Sequence, residues 1–202
     1  MKGLARPGGN VTGHTSLGGE LGGKRLQLLK EALPKLKRVG VLVTTSYSPV
    51  SGQDFKMVQD AAVKLRLTLI PVTVNARSEL KEAFATMARG GAEAVLLTQS
   101  AQFGGVWLKD ILQMAAARRW PIMSGNGAAP QSGALLSYGR SLTESLQRVA
   151  WMADKILKGR PPSEIPVEQP TRFDFTINAK VAKTLGIKFP QTILIQATRV
   201  IE

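Results

Sequence analysis

Arg38-Val-Gly-Val-Leu-Val43 opens the stretch that decides the fold, and Pro121-Ile-Met123 closes it. Between them lie two further runs of the same kind, Leu67-Thr-Leu-Ile-Pro-Val-Thr-Val74 and Ala94-Val-Leu-Leu-Thr98. Each reads as a short strand. The spacers, about 52–65, 78–89 and 105–118, repeat apolar residues at helical intervals. Phe55, Val58, Ala62 and Leu65 form one stripe, and Leu80, Phe84, Met87 and Ala88 a second, with Ser78 as a candidate N-cap. Leu108, Ile111, Leu112 and Ala115 form a third. Strands that are apolar without alternation are covered on both faces, and strands alternating with helices are joined by right-handed crossovers. The expectation is an α/β lobe built on a parallel sheet. Ligands of such sheets bind beyond the carboxyl ends of the strands. The loops after Val43, Val74, Thr98 and Met123 are therefore the places to look for function.

Outward from this core the chain is less regular. Gly8-Gly-Asn-Val-Thr-Gly-His-Thr-Ser16 is glycine-rich, with Val11-Thr12 as a short extended crossing. A helix is expected from Leu21 to Leu33, ended by Pro34. After Met123 a loop leads to a strand, Ala134-Leu-Leu-Ser-Tyr138, and to a long helix from Leu142 to Lys158. Leu146, Val149, Ala153, Ile156 and Leu157 make the apolar face of that helix. Gly159 and Pro161-Pro162 stop it. Residues 161–170 read as an extended connector, and Arg172 to Ile177 as a half-buried, alternating strand. Asn178 caps a short helix to Leu185, and Thr192 to Gln196 reads as one more extended piece.

Composition narrows the chemistry. The 202 residues are 44% hydrophobic, enough for a real core, and no apolar run approaches the roughly 20 residues of a membrane span. The start has no apolar h-region, so no signal peptide is expected within this chain. The absence of cysteine excludes disulfides, thiolate metal sites and cysteine nucleophiles. A net charge of +13 could draw nucleic acid, but the basic residues are scattered and lack interleaved aromatics, so surface charge is the simpler reading. His14 is the one histidine, without adjacent carboxylates for a metal and without a Gly-x-Ser-x-Gly elbow for a triad. Gly18-Gly-Glu-Leu-Gly-Gly23-Lys24 imitates a phosphate loop, but Arg25 stands where Ser or Thr must hold magnesium. No cofactor is expected.

What remains is a ring of small polar groups at the strand ends: Thr44, Thr45 and Ser46; Gln99 and Ser100; Ser124 and Asn126; and Tyr138. Hydroxyls, amides and an aromatic near helix N-termini suit a small polar or zwitterionic solute. Ordinary turn chemistry would use the same residue types. An α/β enzyme working from these loop ends, or a charge-driven nucleic-acid binder, stay as alternatives.

Six segments in order resemble the ABC-transporter substrate-binding protein family related to the tryptophan- and tyrosine-binding lipoproteins. They are Ala5-Arg-Pro-Gly-Gly-Asn-Val-Thr-Gly13, Gly23-Lys-Arg-Leu-Gln-Leu-Leu-Lys-Glu31, Ser137-Tyr-Gly139, Asp154-Lys-Ile-Leu-Lys-Gly159, Ile165-Pro-Val-Glu-Gln-Pro-Thr-Arg-Phe173 and Ile177-Asn-Ala-Lys-Val-Ala-Lys-Thr-Leu-Gly-Ile187. The resemblance implies a type I periplasmic-binding-protein fold, two α/β lobes joined by crossing segments. It implies a non-enzymatic role, either periplasmic or membrane-anchored and extracytoplasmic, with an ABC permease as partner. On that template 1–17 is a hinge segment, 18–130 a complete lobe, 131–160 a remnant of the other lobe, and 161–202 a crossing segment that returns. Family members carry about a hundred residues ahead of Ala5, so the first lobe is expected to be partial. The strand 134–138 and helix 142–158 are then expected to expose apolar faces and to invite a partner, including a second copy of the chain. Thr44-Thr-Ser-Tyr-Ser-Pro49 departs from the family's Asn-Pro pattern and Thr98-Gln-Ser-Ala-Gln-Phe103 from its Pro-Asp-Pro, so solute identity does not carry over.

Overall fold

Val39 to Val43 bury every side chain in succession, as do Ala94 to Leu97, because helices cover both faces of these strands. The computed structural model describes residues 3–45 and 49–202. Its elements in order are α1 (Gly22–Ala32), β1 (Arg38–Val43), α2 (Pro49–Leu65), β2 (Thr68–Thr73), α3 (Leu80–Arg89), β3 (Ala94–Leu97), α4 (Ala101–Gly104), α5 (Leu108–Ala116), β4 (Ile122–Ser124) and β5 (Leu136–Arg140). Then follow α6 (Leu142–Leu157), β6 (Phe173–Asn178), α7 (Ala179–Leu185), α8 (Gln191–Gln196) and β7 (Arg199–Ile201).

The strands form one seven-stranded sheet in the order β2-β1-β3-β4-β5-β6-β7. From β2 through β5 every pairing is parallel, as is β6 with β7. Between β5 and β6 the numbers run in opposition: Asn178 N–H donates to the Leu135 carbonyl and Ser141 N–H to the Arg172 carbonyl. That is the progression of an antiparallel pair. The sheet is mostly parallel, with β6 and β7 running the other way. Alternate side chains divide between two cores. Val39, Val41, Val43, Ala94 and Leu96 pack with Leu26, Leu29, Val58 and Ala62. Leu42, Val95 and Leu97 pack with Leu80, Phe84, Met87 and Ile111. Each fully buried aliphatic side chain contributes about 1.5–3 kcal/mol.

Several local expectations need correction. Thr192 to Gln196 is not extended. It lies in α8, which follows Pro190 and buries Ile193. A short β-branched run cannot by itself distinguish a strand from a buried helical turn. The true last strand is β7. The helix expected at 105–118 is shorter, α5 at Leu108–Ala116, and a separate helical turn, α4, precedes it. Ser78 is no cap; the Glu79 carboxylate instead accepts from the Asn75 and Ala76 N–H groups. Ala83 rather than Ala88 is buried on α3. β6 buries Phe175 through Asn178 without alternation, because it is an interior strand of the sheet.

The chain divides into two compact units: Met1–Leu17 with Arg140–Phe173, and Gly18–Gly139 with Asp174–Glu202. β5 belongs to the second unit as far as Gly139, and Ala134 to Ser137 are buried rather than exposed. Met123 and Ser124 pair with Leu136 and Ser137, which ties this strand to the second unit.

Within the first unit the crossing segments are bonded to each other. Thr12 Oγ1 donates to the Ile165 carbonyl at 2.7 Å, and His14 forms a parallel bridge with Glu168. The Glu168 carboxylate accepts from Arg148 Nε at 2.7 Å and also from Arg148 Nη2. That bidentate contact holds the Glu168 carboxyl below its ordinary value. On α6, Ser145 and Met152 are buried. Leu142, Leu146, Val149, Ile156 and Leu157 are exposed. The apolar stripe faces outward.

Candidate functional site

All the predicted site residues within the described regions lie in the second unit: beyond the carboxyl ends of β1, β3 and β4, at the last residue of β4 for Ser124, and within β5 for Tyr138. Ser46 lies outside the described residues. The others fall into three linked groups. Thr44 and Thr45 gather around Asn75, two residues beyond β2. The Asn75 Oδ1 accepts from Thr44 Oγ1 at 3.1 Å and from Thr45 N–H at 3.0 Å. Thr44 N–H also donates to Ser51 Oγ at 3.2 Å. Ser51 Oγ lies 2.6 Å from Thr98 Oγ1, which donates to the Leu42 carbonyl. This chain of hydroxyls ties the end of β1 to the end of β3 under cover.

Gln99 belongs to the second group, whose centre the sequence reading missed. Arg25, on α1, is 1% exposed and its guanidinium reaches four places. Nε donates to the Tyr138 carbonyl at 2.8 Å, and Nη1 to both Asp54 oxygens at 2.9 and 3.0 Å. Nη2 donates to Gln99 Oε1 at 3.1 Å. The Asp54 carboxylate, fully buried on α2, also accepts from Gln99 N–H at 2.7 Å. Burial pushes the Asp54 carboxyl up from its ordinary value, against Arg25 and the N–H groups of Gln99 and Gly22. Burial pushes Arg25 down, against Asp54. Gly125 completes the contact: a Cβ there would lie 2.5 Å from Gln99 Oε1 and 2.7 Å from Arg25 Nη2. A side chain at this position would push the ends of Gln99 and Arg25 away from these contacts.

The third group holds the loops after β3 and β4. Ser100 caps α4, its Oγ accepting from Gln102 N–H at 3.2 Å and donating to Gln102 Oε1. Ser124 is buried, and its Oγ accepts from Asn126 N–H at 3.1 Å. The Asn126 carboxamide donates to the Gly104 carbonyl and accepts from Ala128 N–H at 3.0 Å, which joins the two loops. Tyr138 offers its ring edge-on to Phe175, with centroids 6.4 Å apart, and burial raises its hydroxyl pKa.

Thr44, Gln99, Ser100, Ser124 and Asn126 thus each belong to one of three hydrogen-bonded groups on the strand-end loops, Tyr138 joins the second through its backbone carbonyl, and Thr45 is exposed. Arg25, Asp54, Ser51 and Asn75 are the additions. Asn75 could have been found from the strand-end rule, since it follows Val74. Arg25 sits within a quoted family segment, but a helix stripe gives no sign that a cation on it is buried.

The charges of Arg25 and Asp54 cancel, so the network presents hydroxyl, amide and peptide dipoles over a neutral base. Among the described residues no group of three or more His, Asp or Glu could hold a metal ion. A hollow of about 700 Å³ lies elsewhere on the second unit, at the amino ends of β1, β3 and β4, between Leu36, Pro121 and Ile187. It has an apolar floor and basic edges at Lys35, Arg119 and Lys188, and none of the predicted residues line it.

Comparison with known proteins gives consistent answers. The family described as ABC transporter substrate binding protein matches residues 1–201. A tyrosine-binding protein of Clostridioides difficile is 25% identical over 191 residues, covering 93% of this chain and 53% of its own length. The chain thus spans about half of that relative. An ABC domain from Streptococcus pneumoniae, solved in complex with L-Trp, is 25% identical with a TM-score of 0.82, over 99% of this chain and 68% of that one. A conserved domain protein of Vibrio cholerae shares the fold at a TM-score of 0.80 and 24% identity, covering 98% of this chain and 66% of its own.

Proposed function

Because the chain belongs to the ABC transporter substrate-binding protein family, we propose that it serves as the solute-binding component of an ABC-type importer. Its solute is amino-acid-like and is held at the carboxyl ends of β1, β3, β4 and β5. The observation that carries this reading is the gathering of small polar side chains at one end of one sheet, over a base whose buried charges cancel. A zwitterion needs that combination: donors for its carboxylate, acceptors for its ammonium, and no net countercharge beneath. The Tyr138 ring supplies an apolar wall. A relative named for binding tyrosine and another solved with L-Trp support the solute class. Delivery to a membrane permease, from an extracytoplasmic position, belongs to the same reading. So does self-association through the outward apolar stripe of α6.

Thermal unfolding with and without added solute tests the binding. L-tyrosine and L-tryptophan at a hundred-fold excess over Kd should stabilise the protein by about 2.7 kcal/mol, with sugars inert. The absence of a shift with every amino acid would overturn the reading.

A further inference from the structure

Gln99 is held twice from below: its backbone N–H by Asp54 and its side-chain carbonyl by Arg25. Arginine only donates, so the carboxamide atom facing it must be the oxygen. The opposite face of the same amide is then the NH2 group. Among the described residues, none takes a hydrogen bond from it. Gln99 is half-buried at the carboxyl end of β3, beside the Gly125 backbone. We propose that Arg25 is a positioning residue: it fixes the Gln99 carboxamide with its NH2 outward, so that this point of the site accepts only a hydrogen-bond acceptor, the carboxylate of the solute.

Three features make the arrangement directional. Arg25 is itself buried and engaged by Asp54, Tyr138 and Gln99, so it does not reach the solute. Asp54 neutralises it, so the carboxylate meets an amide donor rather than a bare cation. Gln99 Oε1 packs close against the Gly125 backbone, 2.5 Å from where a Cβ would stand, so the glycine is what lets the carboxamide reach Arg25. The inference rests on the solute-binding reading for its second half. Its first half, that Arg25 orders Gln99, stands on geometry alone.

Two measurements separate them. In solute-free protein, the ¹⁵N relaxation of the Gln99 side-chain amide should report an ordered group in the parent and a mobile one in Arg25→Lys. Exchange protection of β1 and β3 should be unchanged. Equal mobility in both proteins, or loss of protection throughout the sheet, overturns the positioning role. The second measurement uses Gln99→Glu, which keeps an acceptor for Arg25 and replaces the outward donor with an acceptor. L-tyrosine affinity should fall by about tenfold or more, while tyramine, which lacks the carboxylate, should bind at least as well as to the parent. Equal losses for both probes, or none for L-tyrosine, overturn the carboxylate assignment. A parent that binds neither probe would sink the solute reading and the carboxylate assignment with it, leaving the relaxation result to decide the role of Arg25.

Discussion

Arg25 and Asp54 show how much one pair of residues can organise. Removing either leaves the other charged and buried, which is far costlier than losing a surface ion pair. Asp54→Ala should destabilise the protein by about 3–5 kcal/mol, measured by urea unfolding. Replacing both by apolar residues of similar volume should cost clearly less than the two single changes added together. The pair was not legible in the sequence. Arg25 lies next to Leu26 on a helix whose apolar stripe could be read, and nothing in the spacing around Asp54 marks it as buried. Tertiary closeness alone turned both inward. The polar strand-end residues were legible because an open parallel sheet fixes where its ligands bind. Which of their atoms are already engaged, as with Asn126 on Gly104, depends on loop geometry that no periodicity encodes.

Among the elements, the central strands were the most readable. Four consecutive buried residues in β3 leave no reading but a two-sided cover. Leu96→Ala should therefore cost about 2–5 kcal/mol in the same unfolding assay, as the cavity forms between α1 and the sheet. The misread element is as instructive. α8 carries Thr192, Ile193, Leu194 and Ile195, residues that favour strands, yet it is helical, with Ile193 buried and Ile195 exposed. Packing against α1 outweighed propensity there, as it commonly does for short elements. On α6 the converse holds. Leu146→Gln with Val149→Gln should change monomer stability by no more than about 0.5 kcal/mol, because neither side chain is buried. The same pair should abolish any concentration-dependent sedimentation of the parent, which would locate self-association on this helix.

For the molecule as a whole, the exposed apolar face of α6 belongs to the smaller of the two units. The first unit consists of Met1–Leu17 and Arg140–Phe173, and contributes little to the sheet, while the second contains nearly all of it. The relatives it matches are longer, by about half again for the solved structures.

The backbone passes between the units three times, near residues 17, 139 and 173. A break in the backbone after Gly139, inside β5, would therefore liberate neither unit. It would give fragments 1–139 and 140–202, each owning a share of both, clasped through the rungs between β5 and β6. Such a nicked protein should migrate as two bands when denatured yet elute as one species in buffer, and scission would register as loosening rather than release.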